Sequence, residues 1–378
     1  MNDAAIAKRR KVKHSSPFCT PVTCNVQKIQ NPSTLTRCRA ISCGAFSCVW
    51  LVHECNIKGG TYYAMKVLDK AALLKAGCAH IALREKAALA ALRPHPFITR
   101  LYGTGQDERS LYLLLQLALG GDLRGLLLRA RQRLGFRKAV LDTPLVVLYA
   151  AVLVLVLDHV HSAGFIYRDL KPENVLLDEE GVPLLCDFGT SVQVGLSGRA
   201  HSLACATWQY ASPEQLEQRG ATMASDWWAL GVIVCECLRG ETPFPSGDSD
   251  TPEEVLHVIR MADSQIVDLS RQPASAGAFF VRSLLQYDED SRWRAAQQVR
   301  LHAFFSAINW QALSHRQVSE ESIQLLRSAI KPVLGCADTR NFSYADLSAV
   351  HKPCSSIEER CPADSGETAI DLTCWDGF

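Results

Sequence analysis

Between about Cys38 and Leu117 apolar and polar positions alternate, the pattern of half-buried strands. Apolar residues flank Gly59-Gly60, a hairpin signal, and Tyr62 to Leu68 reads as the strand that follows. The period then changes. Ala71 to Leu92 is rich in Ala, Leu, Lys and Glu and predicts one helix, ended by Pro94 and Pro96. Leu101-Tyr102 and Leu111 to Leu117 predict two further strands. Beyond Gly120-Gly121 the pattern turns helical. Leu123 to Leu134 is amphipathic, whereas Leu145 to His161 is apolar almost all round and predicts a helix inside a core. Residues 220–330 carry more helices between Pro-, Gly- and Asp-rich loops, and from Trp310 onward long periodic segments are few. The elements add up to an α+β chain with a small β-rich lobe, a larger helical lobe and a C-terminal extension.

Composition sharpens this picture. The 378 residues are 48% hydrophobic and 21% charged, proportions of a globular chain rather than a disordered or fibrous one. Forty Lys and Arg against 39 Asp and Glu leave a net charge of +1, which argues against general nucleic-acid binding. The longest apolar run, Pro144 to Leu157, falls short of a membrane span. The 15 cysteines are odd in number and scattered, with no C-x-x-C pair, so a structural zinc site is not expected. The N-terminus has no apolar stretch behind its polar start. These features predict a reduced, intracellular, cytoplasmic chain. Residues 1–36 read as a tail, and its basic run from Lys8 to Lys13 is either a nuclear import signal or a solvated charge cluster.

The chemistry concentrates in a few ordered segments. Ala64-Met65-Lys66 ends a predicted strand. Tyr167-Arg168-Asp169-Leu170-Lys171-Pro172-Glu173-Asn174 is followed, 13 residues after Asn174, by Asp187-Phe188-Gly189, and further on by Ser212-Pro213-Glu214. In this order and spacing the set resembles the protein-kinase signature closely, over residues 38–308 or so. Asp226-Trp227-Trp228, Ile308-Asn309-Trp310, Asn341-Phe342 and the terminal Trp375-Asp376-Gly377-Phe378 resemble the AGC group, and within it the catalytic domains of the cAMP- and cGMP-dependent kinases.

The resemblance implies a two-lobed kinase fold, with a small lobe over 37–117, a large lobe over 118–308 and an AGC-type tail over 309–378. It implies an ATP- and Mg²⁺-dependent Ser/Thr kinase. Lys66 would hold the ATP phosphates, with Glu85 fixing its rotamer. Asp169 would accept the proton of the acceptor hydroxyl or orient that hydroxyl, and Lys171 would neutralise the moving phosphoryl group, while Asn174 and Asp187 would ligate Mg²⁺, a hard cation suited to oxygen donors. Val49, Ala64 and Leu176 would pack on the adenine, with Gln116 to Ala118 as the hinge and Leu115 as its gatekeeper. Asp122, Glu173 and Glu236 match carboxylates that bind arginines ahead of the acceptor, so basophilic protein substrates are implied; Asp122 also borders the nucleotide, and Thr207 faces the substrate.

Two departures from the family pattern stand out. The phosphate-covering loop reads Ser42-Cys43-Gly44-Ala45-Phe46-Ser47-Cys48-Val49, keeping only Gly44 of three glycines, which predicts weaker ATP binding or slower turnover. In the activation segment Leu203 stands where relatives carry a phosphorylated Thr, with Ser202 beside it as a substitute; Arg168 and His80 remain of the phosphate-binding set. Both departures support the alternative of a pseudokinase acting as a scaffold, whereas intact Lys66, Asp169, Asn174 and Asp187 oppose it. Glu214 and Arg292 match a buried structural ion pair. The terminal aromatics are expected to dock on the small lobe and brace the Glu85 helix. Any cyclic-nucleotide control would come from a separate regulatory subunit.

Overall fold

The computed structural model describes residues 27–28, 35–54, 61–134, 141–195, 198–200, 207–244, 251–261, 275–292, 295–330, 375 and 378. Six strands form one sheet in the order β1-β5-β6-β4-β3-β2: β1 (Gln27–Lys28), β2 (Leu35–Cys43), β3 (Ser47–Glu54), β4 (Thr61–Asp69), β5 (Leu101–Gln106) and β6 (Ser110–Leu115). All neighbours are antiparallel except β1, which runs parallel to β5. The sheet therefore begins earlier than the sequence pattern indicates. β1 lies within the stretch read as a tail, and β2 starts at Leu35. Gly59-Gly60 lies outside the described residues; β3 and β4 pair antiparallel, with Glu54 opposite Thr61, as a hairpin requires.

The single helix expected over Ala71–Leu92 is two helices, α1 (Lys70–Lys75) and α2 (Ala79–Ala91). Asp69 caps α1 by accepting from the Ala72 amide at 2.6 Å. Gly77 then takes a φ of +66°, a left-handed conformation that ends one helix before the next begins. Composition concealed this break, because Ala, Leu and Lys favour helix on both sides of one glycine.

The larger lobe is built from α3 (Leu123–Leu134), α4 (Thr143–Ser162), α5 (Pro213–Leu216), α6 (Met223–Arg239), α7 (Pro252–Met261), α8 (Ala276–Leu284) and α9 (Ala296–Arg300). Two small sheets lie in it, β7 (Gly121–Asp122), β9 (Val175–Leu177) and β10 (Pro183–Leu185) in the order β10-β9-β7, and β8 (Phe165–Ile166) with β11 (Val192–Gln193). By length and composition α4 could cross a membrane, longer than the apolar run read from sequence. Its side chains from Leu145 to Val160 are instead buried almost continuously in the main core, beside Trp227 and Leu230 of α6. Thr222 and Ser225 form a capping box at the start of α6, and Gly240, with φ +84°, ends it.

Beyond residue 309 the chain adds α10 (Trp310–Ser314) and α11 (Glu320–Ala329). Leu326 of α11 is buried, and a Cβ on Gly181 would meet its carbonyl oxygen at 2.5 Å. Arg316 adds an ion pair to buried Asp178 and donates to the Pro96 oxygen at 2.9 Å. The chain's last residue returns to the small lobe. Trp375 and Phe378 are buried with Leu73, Ala82, Leu111 and Leu113. Lys86, next to Glu85 on α2, donates to the Phe378 main-chain oxygen at 2.7 Å, and Thr104 donates to it at 3.2 Å. The terminal aromatics thus pack on the helix that carries Glu85, as the resemblance implied. Asn341-Phe342 lies outside the described residues.

Candidate active site

The site lies where β3 and β4 meet the turns around β9 and β10. Lys66 sits on β4 opposite Val49 of β3. Its Nζ lies 2.8 Å from Glu85 Oε2 and 3.2 Å from Asp187 Oδ1. Burial opposes a charge on Lys66, but Asp187 and Glu85 outweigh it and raise its pKa. The Lys66 ammonium in turn lowers the pKa of Asp187. Glu85 is pulled upward by burial and by Asp187 while Lys66 pulls it down. The net effect raises the Glu85 pKa to about 7, while Lys66 is held charged 2.8 Å away.

Asp169 follows a backbone held in place from below. The Asp226 carboxylate, buried at the start of α6, accepts from the amides of Tyr167 at 2.9 Å and Arg168 at 2.8 Å, and lies 2.7 Å from His161 Nε2. Arg168 has a φ of +75°, which a side chain with a Cβ adopts only when its surroundings enforce it. Asp226 supplies that enforcement. The sequence reading noted Asp226 as a group marker and missed this role; an acidic residue amid Ala224, Trp227 and Trp228 was the available signal.

Above this support, Asp169 Oδ2 meets Lys171 Nζ at 2.8 Å, and Lys171 also donates to the Thr207 hydroxyl at 2.9 Å. Burial raises the Asp169 pKa, opposed by Lys171. Asn174 donates from Nδ2 to the Asp169 carbonyl at 2.8 Å and to its Oδ2 at 3.2 Å, which leaves the amide oxygen to serve as an acceptor. The Cys186 amide bonds the Asn174 carbonyl at 3.0 Å, so the β9–β10 pairing sets Asn174 beside Asp187. Among the described residues no three His, Cys, Asp or Glu side chains form a metal cluster by themselves. An amide oxygen and a carboxylate nonetheless suit Mg²⁺, which takes few protein ligands and completes its shell with water and phosphate oxygens.

The remaining expected positions surround this centre. Ala64 and Ala118 are buried, while Val49, Gln116 and Leu176 are half-buried. Leu115 faces Ala64 across the β4–β6 ladder, and Asp122 faces Leu176 across β7–β9. The Gln116 amide donates to the Arg100 oxygen at 2.9 Å. A Cβ on Gly120 would come 2.3 Å from the Asp178 oxygen, and one on Gly189 would come 2.6 Å from Ile81 of α2. Close packing therefore requires glycine at both positions. Phe188 is fully buried and meets Tyr167 edge-on at 5.1 Å.

The loop over the site contains a correction. Ser42 pairs with Val49 and Cys43 with Cys48, and the Gly44 amide bonds the Ser47 oxygen at 2.7 Å in a tight turn. The sulfurs of Cys43 and Cys48 are joined in a disulfide, with Cα atoms 4.1 Å apart. The expectation of a wholly reduced chain thus fails at this pair. The register of a short hairpin sets two directly opposed side chains within bonding reach. A Cβ on Gly44 would meet nothing nearer than 3.9 Å, so neither crowding nor a positive φ requires glycine there.

The carboxylates matched to substrate binding are all engaged within the chain. Asp122 accepts from the Gly125 amide at 2.7 Å, and burial raises its pKa. Glu173 and Glu236 share one guanidinium, that of Arg124. Arg124 was overlooked in the sequence, where it reads as an ordinary residue of an amphipathic helix. In the activation segment, Ser202 and Leu203 lie outside the described residues. His80 lies near Arg84 and Arg168, and burial, then these two cations, lower its pKa. Burial and Arg84 bring the Arg168 pKa down to about 10. Glu214 and Arg292 form the expected pair with both side chains fully buried, at 2.8 and 3.1 Å.

Residues 35–305 match the family model described as the protein kinase domain. The chain is 33% identical over 314 residues to ribosomal protein S6 kinase alpha-6 of Danio rerio, covering 82% of this chain and 39% of that protein. It is 33% identical over 323 residues to the cAMP-dependent protein kinase catalytic subunit of Dictyostelium discoideum, covering 84% and 46%. Ribosomal protein S6 kinase alpha-2 of Homo sapiens is 35% identical over 296 residues, covering 76% and 38%. The chain thus spans less than half the length of these curated relatives. The family match, these relatives and a two-lobed fold built around Lys66, Asp169 and Asp187 lead to one conclusion: the chain belongs to the protein kinase family, with its likeness in the AGC group.

Proposed function

We propose that the protein transfers the γ-phosphate of Mg-ATP to serine or threonine hydroxyls of protein substrates. The observation that carries this reading is the position of Lys66, shared between Glu85 and Asp187, two carboxylates from separate parts of the chain. A lysine fixed in this way presents a fixed charge to phosphate oxygens. Asn174 and Asp187 would hold Mg²⁺, which would supply positive charge against the phosphates. Asp169, placed by the Asp226-supported loop and by Lys171, orients the acceptor hydroxyl and takes its proton. Lys171 stands 2.9 Å from Thr207, ready to meet the moving phosphoryl group. Val49, Ala64, Leu115 and Leu176 supply the apolar walls for the base.

Arginine ahead of the acceptor belongs to this reading through Asp122, while Glu173 and Glu236 already hold Arg124. Only carboxylate edges not already engaged within the chain are left to receive it. Control by a separate cyclic-nucleotide-binding subunit and residence in the cytoplasm or nucleus complete the proposal. The test is radiolabel transfer from Mg-ATP to a degenerate Ser/Thr peptide library, wild type beside Asp169→Asn. Transfer by the wild type alone supports the reading. Loss in neither protein refutes Asp169 as the reacting group, and absence of transfer and of ATP binding in both supports the scaffold alternative.

A further inference from the structure

The acidic pair Glu173 and Glu236 stands beside the Asp169 centre. Glu173 lies in the short turn Pro172–Asn174, between Lys171 and Asn174, and Tyr210 lies three residues after Thr207. Two carboxylates beside the acceptor's position would ordinarily receive a basic side chain of a peptide, since forked guanidinium–carboxylate contacts are strong and directional. Here a guanidinium is already present. Arg124, in the first turn of α3, donates from Nε to Glu173 Oε1 at 2.8 Å, from Nη1 to Glu236 Oε1 at 2.7 Å and from Nη2 to the Tyr210 hydroxyl at 2.7 Å. Tyr210 in turn donates to Glu236 Oε2 at 2.6 Å. Each guanidinium nitrogen is used, and both oxygens of Glu236 are occupied. The Glu236 side chain is 3% exposed, so removing its partner would leave a buried charge.

We propose that Arg124 occupies from within the subsite a substrate arginine would take, and that it thereby sets specificity: at that substrate position the enzyme prefers an uncharged residue to arginine. This rests on the reading of the chain as a protein kinase. A peptide arginine gains little by entering, because it must first break three bonds of an arginine tethered in place, and two guanidiniums cannot share the pair without repulsion. The selectivity is therefore carried by an arginine of the kinase, close in the chain to Asp122, rather than by loss of the carboxylates.

The test uses equilibrium binding, which does not depend on turnover. Fluorescent peptides with alanine at the acceptor carry a single arginine walked through the positions ahead of it, beside an all-alanine parent. Their affinities are measured by anisotropy for the full chain and for Arg124→Met, which keeps the apolar stem. We expect the wild type to bind the peptide whose arginine falls at the Glu173 and Glu236 position no more tightly than the parent. Arg124→Met should bind that peptide at least about tenfold more tightly, a difference of ~1.4 kcal/mol. A tenfold arginine preference in the wild type at the position that responds to Glu236→Gln overturns the proposal. So does a folded Arg124→Met protein with no gain, or the absence of peptide binding to both proteins. If Arg124→Met does not fold, the wild-type series with Glu236→Gln decides alone. Wild-type binding as expected without any phosphate transfer to serine versions would instead refute the kinase reading and leave the filled subsite standing.

Discussion

Replacing Asp226 with asparagine isolates the support beneath the catalytic loop. The native carboxylate accepts two backbone amides, one on each oxygen, at 2.9 and 2.8 Å, and the residue is 1% exposed. Asparagine keeps one acceptor oxygen and puts an NH₂ group where the other stood. One buried amide then faces a donor. An unsatisfied buried donor costs about 1–3 kcal/mol, and the remaining bond loses the added strength of an ionised acceptor, roughly another 1 kcal/mol. We therefore expect a loss of about 2–4 kcal/mol in urea unfolding. Arg168, no longer held at its positive φ, should relax toward an ordinary backbone region, which moves the adjacent Asp169. A displacement near 1 Å costs on the order of 100-fold in turnover. The KM for ATP should change little, because Lys66 and Glu85 do not touch this support. Steady-state kinetics on a Ser/Thr peptide and urea melts of the same preparation measure both effects. Stability within about 0.5 kcal/mol of wild type, together with turnover within about twofold, would refute the account.

Trp375→Ala should destabilise the small lobe by about 3–5 kcal/mol at the site, less the ordering entropy recovered by a freed chain end; a thermal melt and the KM for ATP report it, and an unchanged melt counts against a structural role for the buried indole. Lys66→Met leaves Glu85 and Asp187 without their shared cation, so ATP binding by calorimetry should be lost and stability should fall by about 3–5 kcal/mol. Burial would raise the Glu214 pKa, but the Arg292 bonds outweigh it and lower it below the ordinary value. Its contribution to stability is therefore complete above the ordinary carboxylate pKa and lost as pH falls through the depressed one. Glu214→Gln should flatten that part of an acid titration followed by tryptophan fluorescence, and an unchanged acid limb would show that another carboxylate controls it.

Much of the candidate site was legible because its residues lie in short segments that the protein-kinase pattern marks. Asp169, Lys171 and Asn174 lie within one turn-length stretch, and the β9–β10 pairing brings Asp187 beside it. Strand alternation marked β4 and β6, and the apolar run marked α4 as core before its burial was known. The break at Gly77 was hidden because helix propensity is nearly the same on both sides of it, and only the backbone angle shows where α1 ends. The Cys43–Cys48 bond was hidden because scattered cysteines do not reveal which pair faces across a hairpin.

What the sequence determined by itself is the family and the α+β class, since these are carried by covalent order over short segments. What only the tertiary structure decided is how charged residues far apart in the chain are partnered. Arg124 reaches Glu236 across 112 positions, and Asp226 reaches Arg168 across 58. Whether a carboxylate awaits a substrate or is already satisfied depends on distance and burial, because Coulomb attraction and desolvation act through space and not along the chain.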